Sequence, residues 1–216
     1  MLEISINNLK ADLVGFAAHV EGMIQNCAIA FNNKDFKLLQ QIIEKDEDIA
    51  NSTEVKFEKG CIETVARFAP KASNLRTILM MLKINNDLER MADNCVNISH
   101  NFIDILNSPN ININTDEILE ISSLVILMVK DSIQSFINED DELAENVCHR
   151  DKVVDKLRHK RVEKIKERIK ENISNLDEFL QYWKVFDKFE RIADLSTNIS
   201  EDVVFMIRGK IIRHKI

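Results

Sequence analysis

The chain has 216 residues, ample for a sizeable core, with 36 acidic against 29 basic side chains and a formal charge of −7. That balance argues against nucleic acid as a partner, which demands a basic footprint. Four glycines and two prolines are too few for a protein rich in tight turns and hairpins, so long helices are expected.

The four cysteines, Cys27, Cys61, Cys95 and Cys148, stand alone, without a CxxC pair. They read as reduced, buried thiols, which predicts a cytoplasmic protein. Met1–Ser5 lacks a basic start and a long apolar run, so no signal peptide is expected. The longest apolar run, Leu124–Val129, is far short of the roughly 20 residues of a membrane span.

Taken in order, Leu9, Leu13, Phe16, Ala17, Val20, Ile24, Cys27 and Phe31 recur at three- and four-residue steps, predicting a first helix over 5–31. Turn formers Asn32–Asp35 break it. A second helix is predicted over 36–68, with Leu38, Leu39, Ile42, Ile43, Ile49, Val55, Ile62, Val65 and Phe68 as its buried stripe, ended by Ala69-Pro70. A third runs over 71–106. Asn107–Asn114 reads as a linker, and Asn114 with Glu117 as a capping box. Helices over 115–137, 142–170 and 178–208 follow, with breaks at 138–141 and 172–177. Gly209 is the expected C-cap, and a basic tail, 210–215, comes after it. The expectation is an all-α protein of two tandem antiparallel three-helix bundles, 1–110 and 111–216.

One stretch occurs twice. Lys83–Ser99 set against Lys184–Ser200 shows eight identities in seventeen positions without a gap, Glu89-Arg90-x-Ala92-Asp93 with Asn97 matching Glu190-Arg191-x-Ala193-Asp194 with Asn198. On a helix, Asn86, Glu89, Asp93 and Asn97 share an arc of roughly 80°. Asp187, Glu190, Asp194, Asn198 and Glu201 share it in the second copy. Leu88, Met91, Ala92, Cys95 and Ile98 lie opposite, as do Phe189, Ile192, Ala193, Ile199 and Val203, so the acids are expected on an outer face. Acids at i and i+4 repel by a few tenths of a kcal/mol. A hard cation offsets that better than the neighbouring arginines, because carboxylate and amide oxygens are the ligands of Mg²⁺, Mn²⁺, Ca²⁺ and iron. An antiparallel hairpin brings Glu47 and Asn51 to Glu89 and Asp93, and Asp151 and Asp155 to Glu190 and Asp194. A plain solvated face is the usual reading of such spacing in a chain this charged; the repetition of the letters adds some weight to the cation.

A ferritin-like di-iron centre needs Glu-x-x-His on two helices. Three residues before His19, His100, His149, His159 and His214 stand Phe16, Asn97, Asn146, Lys156 and Ile211. No nucleophile–base arrangement or Gly-rich phosphate loop is visible, so an enzyme is not expected. The run Arg150–Lys170 is interleaved with acids and reads as a solvated face, with an acidic partner or anionic lipid headgroups as the alternatives.

These residues resemble the PhoU family. The resemblance is carried by Ala69-Pro70 with Asn74-Leu75-Arg76 and Asn86–Asn94, by Phe189–Asp194 with Thr197-Asn198-Ile199, and by Glu201–Met206 running to Gly209. It implies a non-enzymatic regulator that restrains phosphate uptake and starvation signalling, linking the PstSCAB transporter, through its ATPase PstB, to the histidine kinase PhoR. It further implies metal clusters, iron among them, on Glu47, Asn51, Glu89 and Asp93 in the first half and Asp151, Asp155, Glu190 and Asp194 in the second. Membrane association through partners alone and a homodimer are expected with it. Asn51 facing Asp155 leaves the first site with less negative charge, so the second is expected to bind metal more tightly. A helical adaptor or chaperone of another anion transporter, and a carboxylate-bridged metalloenzyme, are the other readings.

Overall fold

The computed structural model describes residues 1–108, 115–171 and 176–209. Among them are seven α-helical segments and no strand: α1 (Leu2–Asn33), α2 (Phe36–Gln41), α3 (Glu47–Phe68), α4 (Ala72–Asn107), α5 (Thr115–Asn138), α6 (Asp141–Glu171) and α7 (Leu176–Arg208). A π-helical turn, Ile42–Asp46, welds α2 and α3 into one rod, so the expected three-plus-three order stands. The Asn107–Asn114 linker beyond residue 108, the Asn114 capping box, the 172–175 part of the second break and the tail from Lys210 lie outside the described residues.

Local chemistry sets the helix ends. Lys34 closes α1 in the left-handed region at φ 54°, its N–H donating to the carbonyls of Ala30 and Phe31. Asp35 then caps α2, its carboxylate accepting from the Lys37 and Leu38 amides, which satisfies two otherwise orphaned donors. Ala69 ends α3 at φ 43°, its N–H reaching the Val65 carbonyl at 3.0 Å. Pro70 cannot continue the helix. Gly209 caps α7 at φ 65°, as its backbone freedom suggests.

The predicted stripe of α1 is buried throughout, from Leu9 to Phe31, and so are the apolar faces of α4 and α7. Each fully buried Leu or Phe contributes roughly 1.5–3 kcal/mol. One continuous apolar core joins the two halves. Phe31 stacks on Phe102 at 4.1 Å between centroids, and Tyr182 meets Phe186 edge-on at 5.0 Å. α4 packs along α7 more extensively than any other pair of described helices, and α1 also touches α5. The direction is antiparallel: Arg76 Nε donates to the Met206 carbonyl at 3.0 Å, and Lys83 Nζ to Asp202 at 3.1 Å.

The second rod differs from expectation. Ile49, Val55 and Ile62 are exposed rather than buried, and Ala50, Phe57, Cys61 and Thr64 face the core instead. The π-turn is the reason for Ile49; Val55 and Ile62 stand roughly 140° and 160° from Ile42 even around a straight helix. Straight-helix arithmetic puts Ile42 and Ile49 on one face; one extra residue in the turn hands that face to Ala50. His19 Nε2 donates to the Asp46 carbonyl at 2.9 Å, holding the turn from α1.

The basic stretch of α6 also departs from a fully solvated face. Arg161 is buried against α5, paired with Glu117 and with Glu120 at 2.7 Å, while Lys164 and the Tyr182 hydroxyl donate to Glu117 at 3.3 and 3.2 Å.

An L-residue in the left-handed region costs roughly 1–2 kcal/mol, and the extra unfolded-state freedom of glycine offsets part of the relief. Ala69→Gly should therefore stabilise the protein by about 0.5–1 kcal/mol and raise the melting temperature by roughly 2–4 °C per kcal/mol. Thermal unfolding followed by circular dichroism checks this; a lower melting temperature would contradict the strained cap.

Candidate functional site: two acid clusters flanking a polar groove

α4 and α7 each turn an apolar face to the core and an acid face to the preceding helix of their own half. Asn86, Asp93 and Asn97 on α4 and Asp194 on α7 are exposed, whereas Glu89, Glu190, Glu47, Asp151 and Asp155 are half-buried. The π-turn phases α3 so that Glu47 and Glu54 come to Glu89.

In the first half, burial pushes the Glu89 carboxyl above the usual carboxylate range, and Asp93, Glu54 and Glu47 add to it, against Arg90. Three of the four expected residues, Glu47, Glu89 and Asp93, are thus electrostatic neighbours. Asn51 is exposed on α3 between Glu47 and Glu54. Glu54 comes on to this face in addition, and Asn85, buried beside it, donates from Nδ2 to the Glu54 carbonyl at 3.2 Å.

In the second half all four expected residues come together. Asp151 is pushed up to about 6 by burial, by Asp155 and by Glu190, with a Thr197 hydrogen bond opposing. Asp194, exposed at its rim but crowded by α6, is pushed up to about 6 by partial loss of surrounding water, then by Asp151 and Asp155, with Arg158 and Arg191 opposing. Glu190 is raised by burial and Asp194, with Arg158 opposing. The Asp151 Oδ1 is buried with no hydrogen-bond partner.

Arg158 was not expected here. Its Nη2 donates to Asp187 at 3.0 Å, and its Nε lies 3.8 Å from Glu190. The signal was present in the spacing, because Asp151, Asp155 and Arg158 stand at i, i+4 and i+7 on one helical face. With Arg158 and Asp187 counted in the second cluster and Glu54 in the first, the two halves carry the same net charge, so the expected difference disappears. The second cluster contains a fixed cation, and the first contains an additional acid, Glu54.

Between the clusters, a groove of about 410 Å³ lies along the α4–α7 seam. Arg90, Arg191 and Lys188 line it with Asp93, Asp194 and Asn198. Arg90 pairs with Asp87 at 3.4 Å and Arg191 with Asp187 at 3.5 Å. The corresponding residues of the repeat, Arg90 and Arg191, Asp93 and Asp194, Asn97 and Asn198, therefore line one groove.

Carboxylates and amides are the donors that hard cations prefer, and the orphaned Asp151 oxygen suits one. Among the described residues, however, no three acids, histidines or cysteines already converge to hold an ion. Ligation by three such groups would require side chains to turn. All four cysteines are free and buried. Among the described residues, no helix is long and apolar enough to cross a membrane.

Asp151 and Asp194 bind protons more readily folded than unfolded, so between about pH 4 and 6 the native state holds more protons. Stability then falls as pH rises through that window. In chelator, the melting temperature should be higher at pH 5 than at pH 7 insofar as these groups contribute. Asp151→Asn/Asp194→Asn should raise the value at pH 7 and flatten the profile. A double variant that melts lower at pH 7 would count against acid crowding.

Comparison with known proteins agrees with this architecture. The family model for the PhoU domain matches twice, over residues 13–102 and 118–203. The chain is 31% identical over 214 residues to a phosphate-specific transport system accessory protein PhoU homolog of Aquifex aeolicus, covering 97% of this chain and 94% of that protein. It is 30% identical to a homolog of the same description from Clostridium acetobutylicum, covering 97% and 95%. The crystal structure of PhoU from Pseudomonas aeruginosa superposes with a TM-score of 0.93 at 26% identity, over 97% of this chain and all of that one. With both copies of the repeat matched and relatives covered nearly end to end, the chain belongs to the PhoU family.

Proposed function

We propose that this protein is a non-enzymatic regulator of phosphate transport. It restrains uptake and starvation signalling as an adaptor between the transporter ATPase PstB and the histidine kinase PhoR. It works in the cytoplasm as a homodimer and reaches the membrane through its partners. The observation that carries this reading is the near end-to-end match to transport accessory proteins. It is joined to a site made of paired acid clusters and an open polar groove rather than of a nucleophile and a base. Exposed charge of mixed sign over a rigid helical seam suits partner docking, because complementary potentials steer encounter and set register.

The acid clusters are read as sites for iron, manganese, magnesium or a similar hard cation. Glu47, Glu89 and Asp93, with Asn51 at the rim, would hold it in the first half; Asp151, Asp155, Glu190 and Asp194 would do so in the second. Bound cation would neutralise the crowded carboxylates and thereby change the charge that a partner meets. The supporting observations are the crowding itself and the oxygen-only donor set.

Capture from phosphate-replete cells should recover PstB and PhoR. Asp93→Lys/Asp194→Lys, which reverses charge beside the groove, should lower recovery at least tenfold, with the helical circular dichroism signal retained. Recovery of neither protein by the unaltered chain would overturn the adaptor reading.

A further inference from the structure

α6 sorts its basic residues by type. At about 100° per residue, Lys152, Lys156, Lys166 and Lys170 fall within roughly 80° of arc, with Lys160 at its edge. All five are exposed. The arginines of the helix stand on the other side and turn into the protein. Arg150 pairs with Asp131, Arg158 with Asp187 at 3.0 Å and Arg161 with Glu117 and Glu120, while Arg168 is half-buried. The rigid guanidinium forks serve fixed pairs inside, and the flexible ammonium groups are left outside.

The lysine row runs for about 27 Å along the helix. Glu163, paired with Lys166 at 2.7 Å, and Glu167 are its acids. Asp155, at the margin, is half-buried and turned to the acid cluster around Asp194. The row is therefore a net cationic strip on a chain whose formal charge is −7. It is not a requirement of the repeat. By the offset that pairs Glu47 with Asp151, the same five positions of α3 are Asp48, Ser52, Lys56, Ile62 and Ala66, also exposed. Both halves present this face to solvent, and one of them fills it with lysine.

The composition of the strip selects the surface it fits. Protein interfaces are anchored by aromatic and arginine side chains in desolvated pockets and are depleted in lysine. Between residues 152 and 170 the arc holds no aromatic or apolar residue. Lysines on flexible stems, without an anchor among them, set neither pocket nor register. They match a broad, laterally mobile layer of negative charge.

We propose that the lysine face of α6 rests on an anionic lipid surface, its ammonium groups among the headgroup phosphates. The apolar side of the helix, with Val154 and Ile165, is buried in the core, so α6 lies on the headgroups and does not insert. Each lysine held near such a surface raises partitioning about fivefold. The attraction fades beyond a Debye length of roughly 10 Å at 0.1 M salt. The contact is weak, reversible and orienting. It adds a direct lipid contact to the approach through partners and does not rest on the adaptor reading.

The test is co-sedimentation of the full chain with vesicles of phosphatidylglycerol and phosphatidylcholine in equal parts, beside vesicles of phosphatidylcholine alone, at low and at physiological salt. Partition on to the anionic vesicles should exceed that on to the neutral ones at least tenfold, and should fall as salt rises. Lys152→Gln/Lys156→Gln/Lys166→Gln/Lys170→Gln should lower it at least tenfold, with the helical circular dichroism signal retained. Lys37→Gln/Lys45→Gln/Lys56→Gln/Lys59→Gln removes the same charge from exposed positions of the first half and should change it by no more than about twofold. Equal partition on to both kinds of vesicle, or an equal loss in the two variants, would overturn the proposal. Binding to polyglutamate but not to the anionic vesicles would also overturn it, and would assign the strip to an acidic protein.

Discussion

The antiparallel seam between α4 and α7 is the constraint on which the rest depends. Each of these helices must bury an apolar face in a core that runs through both halves. Each must also carry its acids on a face that the core cannot accept. Packing the two motif helices against one another meets both demands. It brings Arg90, Arg191 and Lys188 on to one groove, and it leaves Glu89 to face α3 and Glu190 to face α6. The long-range pairs Arg76 to Met206 and Lys83 to Asp202 tie the ends of the seam. A shift of one turn along it, about 5.4 Å, would separate these pairs and misalign the two copies of the motif.

Crowded carboxylates are the recurring cost of this arrangement. Partial burial raises them first, and mutual repulsion adds to it. Three remedies are physically available: a proton, a basic side chain or a bound cation. The second half uses Arg158 at one end of its cluster, and leaves Asp151 and Asp194 pushed up to about 6 at the other. The first half has Glu54 at the place where the arginine would be. Duplication has thus preserved the acids of the motif and allowed their counter-charges to diverge.

Much of the architecture was legible in the sequence, because the three- and four-residue periodicity of α1, α4 and α7 is a direct record of burial. The repeated motif located both clusters for the same reason: its acids and its apolar residues fall on opposite arcs. What escaped reading has two causes. The π-turn at Ile42–Asp46 has no compositional signature, yet it shifts the face that follows, so Ala50 rather than Ile49 meets the core. The basic stretch of α6 hides two different roles within one composition. Arg158 and Arg161 turn inward to Glu190 and Glu117 while their neighbours stay solvated. A charge run identifies a helix face only when the partner helix is known, and Glu117 lies on α5, 44 residues away in sequence.

The asymmetry between the halves bears on how each acid cluster responds to its surroundings. An arginine paired with Asp187 and Glu190 is a constant, since its charge and its reach do not vary with conditions. A carboxylate raised by burial and by its neighbours is a variable, whose charge follows the protons present, and both halves hold such groups: Glu89 in the first, Asp151 and Asp194 in the second. Arg158 therefore fixes one end of the C-terminal cluster, while protonatable acids remain on both sides of a single seam. The shared core then matters as much as the acids do. It holds both acid faces beside one groove, so a change of protonation on either alters the charge there without any change in the fold.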